Sequence, residues 1–396
     1  MTTYLLAGGG TAGHVNPLLA TADRIVERHP DATVLVLGTR EGLEARLVPE
    51  RGYELLTIPR LPFPRRLGRA AVRFPAALRD SVAQTQTLIR DRGVDVVVGF
   101  GGYASAPAYL AARRENVPLV VHEANAKPGI ANRLGARITK YVGVAFQSTR
   151  LPHATLVGMP LRSEVERLDR RAERAAAVAY FGLDASKPTL LVTGGSSGAR
   201  HINATVSSAI ALVLGAGWQV VHIAGEKSEI VDPKLAGYRL LPYCNRMELA
   251  IAVADLAVSR AGSATVSEFS AIGVPAVYIP YPVGNGEQRF NAKDAVDAGG
   301  ALLVSDADFT PDWVLQSLVP LLQDRALIAE MAARVTSVGV LDGADRMVDL
   351  VDRAVAEAPS EASVTDASKA DTTPDATPST DQPPTDTPPT DRGAEQ

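Results

Sequence analysis

Two stretches of this sequence place a short apolar run directly before a glycine-rich turn that passes into a helical pattern. The first reads LLAGGGTAGHVNP and the second reads LLVTGGSSGARHINA. A buried strand that leads through a glycine turn into a helix is the opening unit of a Rossmann-type domain. The 396 residues also exceed the ~250 to 300 at which a single core stops growing. The sequence therefore predicts two α/β domains that face each other across a cleft.

Short runs rich in β-branched residues predict the other strands, because strands buried on both faces of a parallel sheet lack polar alternation. The predicted strands are Tyr4–Ala7, Thr33–Leu37, Asp95–Val98, Leu119–Val121, Tyr141–Ala145, Thr189–Thr193, Gln219–Ile223, Leu256–Ser259 and Ala276–Ile279. A charged stretch without a strand pattern, Gly158 to Arg170, separates two sets. We expect a first domain over residues 1–160 and a second over residues 161–358, which ends in a closing helix from Gly343 to Ala358.

The last segment, residues 359–396, is dominated by Thr, Pro, Asp, Ser and Ala and has no aromatic residue. Such a composition cannot bury enough apolar area to offset the entropy of ordering, so we expect a disordered tail. The segment carries eight acidic and two basic residues, which leaves the first 358 residues with a formal net charge of +2. The acidity of the chain therefore belongs to this tail.

Several function classes are disfavoured by composition. The single cysteine, Cys244, cannot form an intrachain disulfide, and six scattered histidines show no zinc-ligand spacing. The N-terminus lacks the pattern of a secretion signal. No stretch approaches the ~18 to 20 apolar residues of a membrane span, so any membrane contact is expected to be peripheral. A low net charge without a run of aromatics disfavours nucleic acid as a partner.

The first glycine loop fits a dinucleotide fingerprint, G-x-G-x-x-G, through Gly8, Gly10 and Gly13. An NAD site also needs an acidic residue at the end of the second strand, where this chain has Gly38, Thr39 and Arg40. Arg40 leaves an NADP-dependent oxidoreductase as one alternative.

Two loops in the second half favour a nucleoside diphosphate instead. Gly194 to Gly198 and Arg260 to Glu268 each follow a predicted strand and open a helix. Amides at a helix start bind anions, and glycines allow close approach of the backbone. Glu268 could accept both hydroxyls of a ribose, although either loop alone could be a structural turn. Two such helix starts in one half predict a site for a nucleotide diphosphate.

Six segments, in this order, resemble the bacterial peptidoglycan glycosyltransferase family MurG: GGGTAGHVNP, GFGGYASAPA, HEANAKPGIANR, VGMPLR, TGGSSGARHIN and SRAGSATVSEFSAIGVPAVYIPYPVGNGEQRFNA. The resemblance covers nearly all of residues 1–350, whereas the tail has no counterpart. It implies a GT-B fold and inverting transfer of N-acetylglucosamine (GlcNAc) from UDP-GlcNAc to undecaprenyl-pyrophosphoryl-MurNAc-pentapeptide (lipid I), giving lipid II. Another GT-B transferase with a different acceptor and a catalytically silent nucleotide-sugar binding module stay open as alternatives.

The resemblance also implies roles for individual residues. From its own position after the first glycine loop at a helix start, His14 is predicted to be the catalytic base, with Glu123 as a backup, although His14 could instead only orient the acceptor pyrophosphate. The UDP-GlcNAc site would comprise Thr11, Ala12, Gly13, Asn125, Arg162, Ser196, Cys244, Ser263, Ala264, Thr265, Val266, Ser267, Glu268 and Gln288. Ala12 and Cys244 depart from the family pattern without removing a side-chain donor. No cofactor is required, with Mg²⁺ as an optional aid, and the Asp306-Ala307-Asp308 segment is interpreted as solvated loop charge.

A basic segment between Arg60 and Arg79 contains six arginines, interspersed apolar residues and no acidic residue. This mixture suits an anionic membrane surface, and its predicted contacts are Arg65, Arg66, Arg69 and Phe74. Pro62, Pro64 and Pro75 are expected to prevent one long helix here. Together with the resemblance, the segment implies a peripheral position at the cytoplasmic face of the cell membrane and contacts with other cell-wall synthesis proteins.

Overall fold

The computed structural model describes residues 1–64, 68–195, 199–283 and 286–358. The tail predicted over residues 359–396 lies outside the described residues, as do Ser196, Arg65 and Arg66. Arg69 belongs to a described helix, but its side chain is outside the description. The described ranges contain the strands of both predicted domains.

Within these ranges the strands form two sheets in which every pairing is parallel. The first sheet has the order β3-β2-β1-β4-β5-β6-β7 and the second has the order β10-β9-β8-β11-β12-β13. The strands are β1 (Thr3–Gly8), β2 (Thr33–Gly38), β3 (Glu54–Thr57), β4 (Val96–Gly101), β5 (Leu119–Glu123), β6 (Tyr141–Val144), β7 (Ala154–Leu156), β8 (Thr189–Thr193), β9 (Gln219–Ile223), β10 (Tyr238–Leu241), β11 (Leu256–Ser259), β12 (Ala276–Tyr278) and β13 (Ala301–Leu303).

Helices connect the strands and cover the sheets. They are α1 (Ala12–Arg28), α2 (Glu44–Glu50), α3 (Arg69–Asp91), α4 (Ser105–Arg114), α5 (Ile130–Gly135), α6 (Ser163–Glu166), α7 (Arg170–Phe181), α8 (Arg200–Gly215), α9 (Met247–Val253), α10 (Ser263–Ile272), α11 (Glu287–Asn291), α12 (Lys293–Asp297), α13 (Pro311–Trp313), a π-helical turn (Val314–Leu318), α14 (Val319–Gln323), α15 (Arg325–Thr336) and α16 (Gly343–Ala356). None of the described helices has both the length and the apolar character needed to cross a membrane.

The strand order places the candidate site. Each sheet has a switch point, at which the direction of the strand order reverses. It lies between β1 and β4 in the first sheet and between β8 and β11 in the second. Ligands of open α/β sheets bind outside the carboxyl ends of the strands at such points. The glycine turns and the Arg260 turn follow these four strands, so the fold brings all of them to the two switch points.

The nine predicted strands are confirmed, with ends that differ by up to three residues, but β3, β7, β10 and β13 were missed. These four are the outer strands of the two sheets. Each is three or four residues long and partly exposed. An edge strand covered on fewer sides needs no continuous apolar run, so the pattern that identified the inner strands is absent from it.

The closing helix expected at the end of the second domain is present as α16, and it packs on the first domain. In α16, Met347, Val348 and Val351 are fully buried in a core that also contains Val15 and Leu18 of α1. Polar contacts reinforce this packing, because Arg28 at the end of α1 forms an ion pair with Asp349 at 2.7 Å and the following His29 lies within hydrogen-bond distance of Asp352 at 3.0 Å. Helix α16 therefore packs on the first domain, because its apolar side is buried against α1 and the first sheet.

The basic segment does not form one long helix, as expected, because residues 60–64 are irregular, but Pro75 does not interrupt the helix that follows. Pro75 lies inside α3, a helix of 23 residues. Pro75 is the seventh residue of α3, so it removes one main-chain hydrogen bond, and the helix continues past it to Asp91. The segment Arg60 to Pro64 contains no regular element, and α3 begins at Arg69 after Gly68.

Candidate active site

Two helix starts from different domains face each other at the switch points. Helix α1 begins at Ala12 after the first glycine loop, and α10 begins at Ser263 after β11. A Cβ atom placed on Gly13 would lie 3.8 Å from Ser263 Oγ, so the two helix starts are in close contact across the cleft. No side chain caps either helix, and neither has an acidic residue in its first turn. Their first amides are therefore suited to bind anionic groups.

His14 lies in the first turn of α1 and is oriented by the glycine loop. Its Nδ1 atom lies 3.2 Å from the carbonyl oxygen of Gly9 and 3.2 Å from Thr11 Oγ1. A carbonyl oxygen can only accept, so the neutral ring carries its proton on Nδ1, and Nε2 keeps a free lone pair. A Cβ atom on Gly101 would lie 3.1 Å from Nε2, which places that atom beside the second glycine turn. The lone pair therefore lies between the two glycine turns of the first domain.

Glu44 binds the first glycine loop through its side chain. The sequence analysis did not identify this residue. It is fully buried and accepts hydrogen bonds from Gly10 N at 2.7 Å, Thr39 N at 2.9 Å and Thr39 Oγ1 at 2.8 Å. In a dinucleotide-binding domain the amides of this loop approach the pyrophosphate. Since a carboxylate of the protein already binds the Gly10 amide, the loop is poorly suited to NADP. The only sequence signal was an acidic residue six positions after β2, which has no fixed spacing in a known motif.

Glu123 organises its own loop, which argues against its proposed role as a backup base. It is buried and accepts four hydrogen bonds: from Asn125 N at 2.8 Å, Asn125 Nδ2 at 3.3 Å, Gly129 N at 2.9 Å and Asn132 Nδ2 at 2.9 Å. A carboxylate with its lone pairs engaged in this way has little capacity to take a proton from an acceptor hydroxyl. We therefore assign Glu123 a structural role in the loop that presents Asn125.

The second domain contributes an ion pair between two of the predicted donor-site residues. Arg162 Nη2 lies 3.1 Å from Glu268 Oε1, although the two residues are 106 positions apart in sequence. Arg162 Nε is buried and lacks a hydrogen-bond partner among the described residues. Such an unpaired donor is costly, and a bound nucleotide oxygen would relieve the cost. The pair therefore connects the residue before α6 with the second turn of α10.

The remaining predicted donor residues lie around α10. Ser263 to Glu268 form the first turns of α10, and within them Ser263 and Val266 are buried, so that Val266 can offer a ligand only its main chain. Cys244 is partly buried, and burial raises the pKa of its thiol, which is therefore protonated at neutral pH. Gln288 on α11 accepts a hydrogen bond from Tyr281 N at 2.9 Å through Oε1.

Asp306 is not a solvated loop charge, contrary to the interpretation of the Asp306-Ala307-Asp308 segment. It forms an ion pair of 2.5 Å with Arg260, a buried residue that also donates to the carbonyls of Ile279 and Pro280 at 3.0 and 3.1 Å. Arg260 thus fixes the turn before α10 against the loop after β12 through the two carbonyls and against the loop after β13 through Asp306. In the described part of the chain no group of three His, Cys, Asp or Glu residues could hold a metal ion.

The predicted membrane contacts are only partly described. Phe74 packs against Phe63 with ring centroids 5.3 Å apart, and Val72 is 82% exposed on the same helix. Arg60, at the start of the basic segment, lies over the ring of Tyr103 at 4.6 Å and donates to its hydroxyl at 3.2 Å. The basic segment therefore adjoins the second glycine turn, which carries Tyr103.

Two buried histidines make the fold sensitive to acid. Burial lowers the pKa of His122 and of His222 from 6.5 to about 4. Between pH 6.5 and pH 4 the folded protein therefore binds fewer protons than the unfolded chain. The free energy of unfolding keeps its full value above pH 6.5 and falls as the pH drops towards 4. We expect each histidine to cost about 2 kcal/mol of unfolding free energy between pH 7 and pH 5.

Chemical denaturation at the two pH values measures this loss. In His222→Asn, the loss of unfolding free energy between the two pH values should be smaller by about 2 kcal/mol, the contribution of one histidine. The control His153→Asn, at an exposed position with φ 58° that asparagine tolerates, should keep the loss of the parent protein. An equal loss of unfolding free energy in all three proteins would contradict the assignment of the acid sensitivity to His222.

Comparison with known proteins agrees with this geometry. The glycosyltransferase family 28 N-terminal domain matches residues 4–144, and the glycosyltransferase family 28 C-terminal domain matches residues 189–347. A relative from Leifsonia xyli subsp. xyli, named UDP-N-acetylglucosamine--N-acetylmuramyl-(pentapeptide) pyrophosphoryl-undecaprenol N-acetylglucosamine transferase, is 65% identical over 90% of this chain and 100% of its own length. A relative of the same name from Clavibacter sepedonicus is 62% identical over 92% of this chain and 100% of its own length.

Solved structures give the same result. The crystal structure of Acinetobacter baumannii MurG matches with a TM-score of 0.75 and 29% identity, over 89% of this chain and 100% of that one. The calicheamicin glycosyltransferase CalG4, with a TM-score of 0.62 and 16% identity over 91% of this chain and 100% of that one, shares the fold alone. The two facing Rossmann-like domains thus form a GT-B fold. The chain belongs to glycosyltransferase family 28 and, within it, to the MurG family of N-acetylglucosamine transferases.

Proposed function

We infer that this protein transfers GlcNAc from UDP-GlcNAc to lipid I and so forms lipid II. The observation that carries the inference is the contact between two uncapped helix starts from different domains, at Gly13 and Ser263. One helix start can bind the diphosphate of the donor, while the other faces the acceptor. The Arg162–Glu268 pair adds contacts for the nucleoside. The match to the 65% identical relative extends over the full length of that relative.

We propose an inverting mechanism with a single displacement. The acceptor hydroxyl attacks the anomeric carbon of GlcNAc from the face opposite the diphosphate, and the bond from that carbon to the phosphate oxygen breaks. UDP leaves with the bonding electron pair, and the hydroxyl proton passes to Nε2 of His14. The supporting observation is the Nδ1 contact with the Gly9 carbonyl, which orients the ring with the Nε2 lone pair free.

The leaving diphosphate needs stabilisation of its developing charge. We propose that the amides of Ser263, Ala264 and Thr265, at the start of the ten-residue helix α10, supply it. No protein-bound cation is required in this scheme. A Mg²⁺ ion carried in by the donor diphosphate would add to the same stabilisation.

We propose that the protein works at the cytoplasmic face of the cell membrane, held there by the basic segment. Each arginine close to an anionic surface contributes about 1 kcal/mol, so three together change binding about 100-fold. Cell-wall synthesis proteins that act on the same lipid are natural partners at that surface.

Vesicle binding tests the basic segment. The triple variant Arg65→Ser, Arg66→Ser, Arg69→Ser should bind vesicles that contain anionic lipid about 100-fold more weakly than the parent. Turnover of a short-chain acceptor in solution should not change. The control Arg171→Ser, Arg325→Ser, with two exposed arginines of the second domain, should bind as the parent does. Unchanged vesicle binding by the triple variant would refute the membrane role of the segment.

Transfer of labelled GlcNAc from UDP-GlcNAc to a short-chain lipid I analogue tests the function itself. A lipid-free acceptor sugar and NADPH oxidation serve as controls. We expect lipid-linked product with release of UDP. Tight binding of UDP-GlcNAc without product would retain the donor site and require another acceptor. Failure to bind UDP would contradict the donor assignment.

A further inference from the structure

One buried side chain joins the two domains next to the candidate site. Asn291 ends α11 in the second domain and is only 1% exposed. Its Oδ1 atom accepts a hydrogen bond from Ala126 N at 2.9 Å, and its Nδ2 atom lies 3.3 Å from the carbonyl oxygen of Ala261 and 3.4 Å from Asn125 Oδ1. One amide thus connects the first-domain loop around Asn125 with the turn that precedes α10.

The contact determines how the Asn125 amide is oriented. Asn125 Oδ1 faces the Nδ2 donor of Asn291, and Asn125 Nδ2 donates to Glu123 Oε1 at 3.3 Å. An amide nitrogen has two hydrogens, so one hydrogen of Asn125 Nδ2 remains for a ligand oxygen. Removal of Asn291 would leave the Oδ1 side of this amide without its neighbour and allow the group to turn.

The same contact sets a distance between the domains. Ala261 immediately precedes Gly262, the residue before α10, whose first amides are the candidate diphosphate site. Asn125 belongs to the loop that the Glu123 carboxylate holds rigid. Asn291 therefore fixes the loop of the first domain relative to the diphosphate site of the second.

We propose that Asn291 is a positioning residue, which orients the Asn125 amide towards the donor sugar and fixes its distance from the diphosphate site. This inference rests on the proposed function, because it assigns Asn125 to the sugar of the bound donor. Asn291 itself is too deeply buried to contact the sugar. Its effect should therefore appear in the recognition and transfer of GlcNAc and not in the binding of UDP.

The test compares UDP-GlcNAc with UDP. In Asn291→Ala we expect kcat/KM for UDP-GlcNAc to fall about 10-fold or more, as for the loss of a buried hydrogen bond, while calorimetry finds an unchanged affinity for UDP. Asn291→Asp has the same volume but no donor for Asn125, so it should show the same loss. Thermal melting distinguishes both results from unfolding.

The matched control is Asp294→Ala. Asp294 lies on α12 and accepts from Ser148 N at 3.2 Å, so it also joins the domains but does not contact Asn125. This variant should keep the parent kcat/KM. If it loses as much activity as Asn291→Ala, any contact between the domains would suffice, and the specific role of Asn291 would be refuted.

A double-mutant cycle with Asn125 gives the sharpest result. If Asn291 acts through Asn125, then Asn125→Ala should lower kcat/KM strongly in the parent but by less than about 3-fold in Asn291→Ala. Independent, multiplying effects would overturn the proposal, and so would an equal loss of UDP and UDP-GlcNAc affinity. A parent protein that transfers no GlcNAc would refute the proposed function and this inference with it. Full activity of Asn291→Ala would refute the inference alone.

Discussion

Replacement of His14 by alanine is expected to lower kcat by about 10² to 10⁴-fold, the range typical of a positioned general base. UDP-GlcNAc should still bind, because the contacts that we propose for the nucleotide lie in the second domain. The structure supports this expectation through the ring orientation, since Nδ1 faces the Gly9 carbonyl at 3.2 Å and Nε2 lies beside Gly101. Steady-state kinetics with both substrates saturating measures the loss.

Two controls separate proton transfer from acceptor binding. The variant His153→Asn, at an exposed position outside the cleft, should keep the parent rate. In His14→Ala, kcat should fall with both substrates saturating, while the KM for the acceptor stays near that of the parent. Near-parent kcat with a raised KM for the acceptor would instead assign His14 to orientation of the acceptor pyrophosphate.

The core of the fold follows from local sequence patterns, whereas its edges do not. Inner strands such as β8 and β11 are apolar on both faces and can be identified without neighbours. Edge strands such as β3 and β13 are partly exposed and resemble loops in sequence. For α16 the pattern shows which side of the helix is buried, but not which sheet covers that side. That choice depends on packing against α1, more than 300 positions away.

The candidate site shows the same division. Glycine loops and helix starts are local patterns, so the residues from Thr11 to His14 and from Ser263 to Glu268 could be located in advance. The supporting residues could not, because their roles arise from contacts between distant positions. Glu44 acts on Gly10, Arg260 on Asp306 and Asn291 on Ala126, at sequence separations of 34, 46 and 165.

Replacement of Glu268 by glutamine is expected to weaken UDP-GlcNAc binding about 10- to 100-fold, the value of a hydrogen bond to a charged group. The change keeps the volume of the side chain but removes the carboxylate that forms an ion pair with the Arg162 guanidinium at 3.1 Å. If the carboxylate binds the ribose, the parent protein should bind UDP more tightly than 2′-deoxy-UDP, and the variant should lose most of this preference. Calorimetry with both nucleotides measures the difference.

The control for this prediction is Glu164→Gln. Glu164 is an exposed carboxylate on α6 that also interacts with the Arg162 charge, but it lies on the surface. If charge balance around Arg162 were the only role of Glu268, both variants would weaken UDP and 2′-deoxy-UDP equally. A preference for UDP that survives in Glu268→Gln would assign the ribose to another group. Loss of the preference in Glu268→Gln alone would identify this carboxylate as the ribose contact and Arg162 as the group that holds it in place.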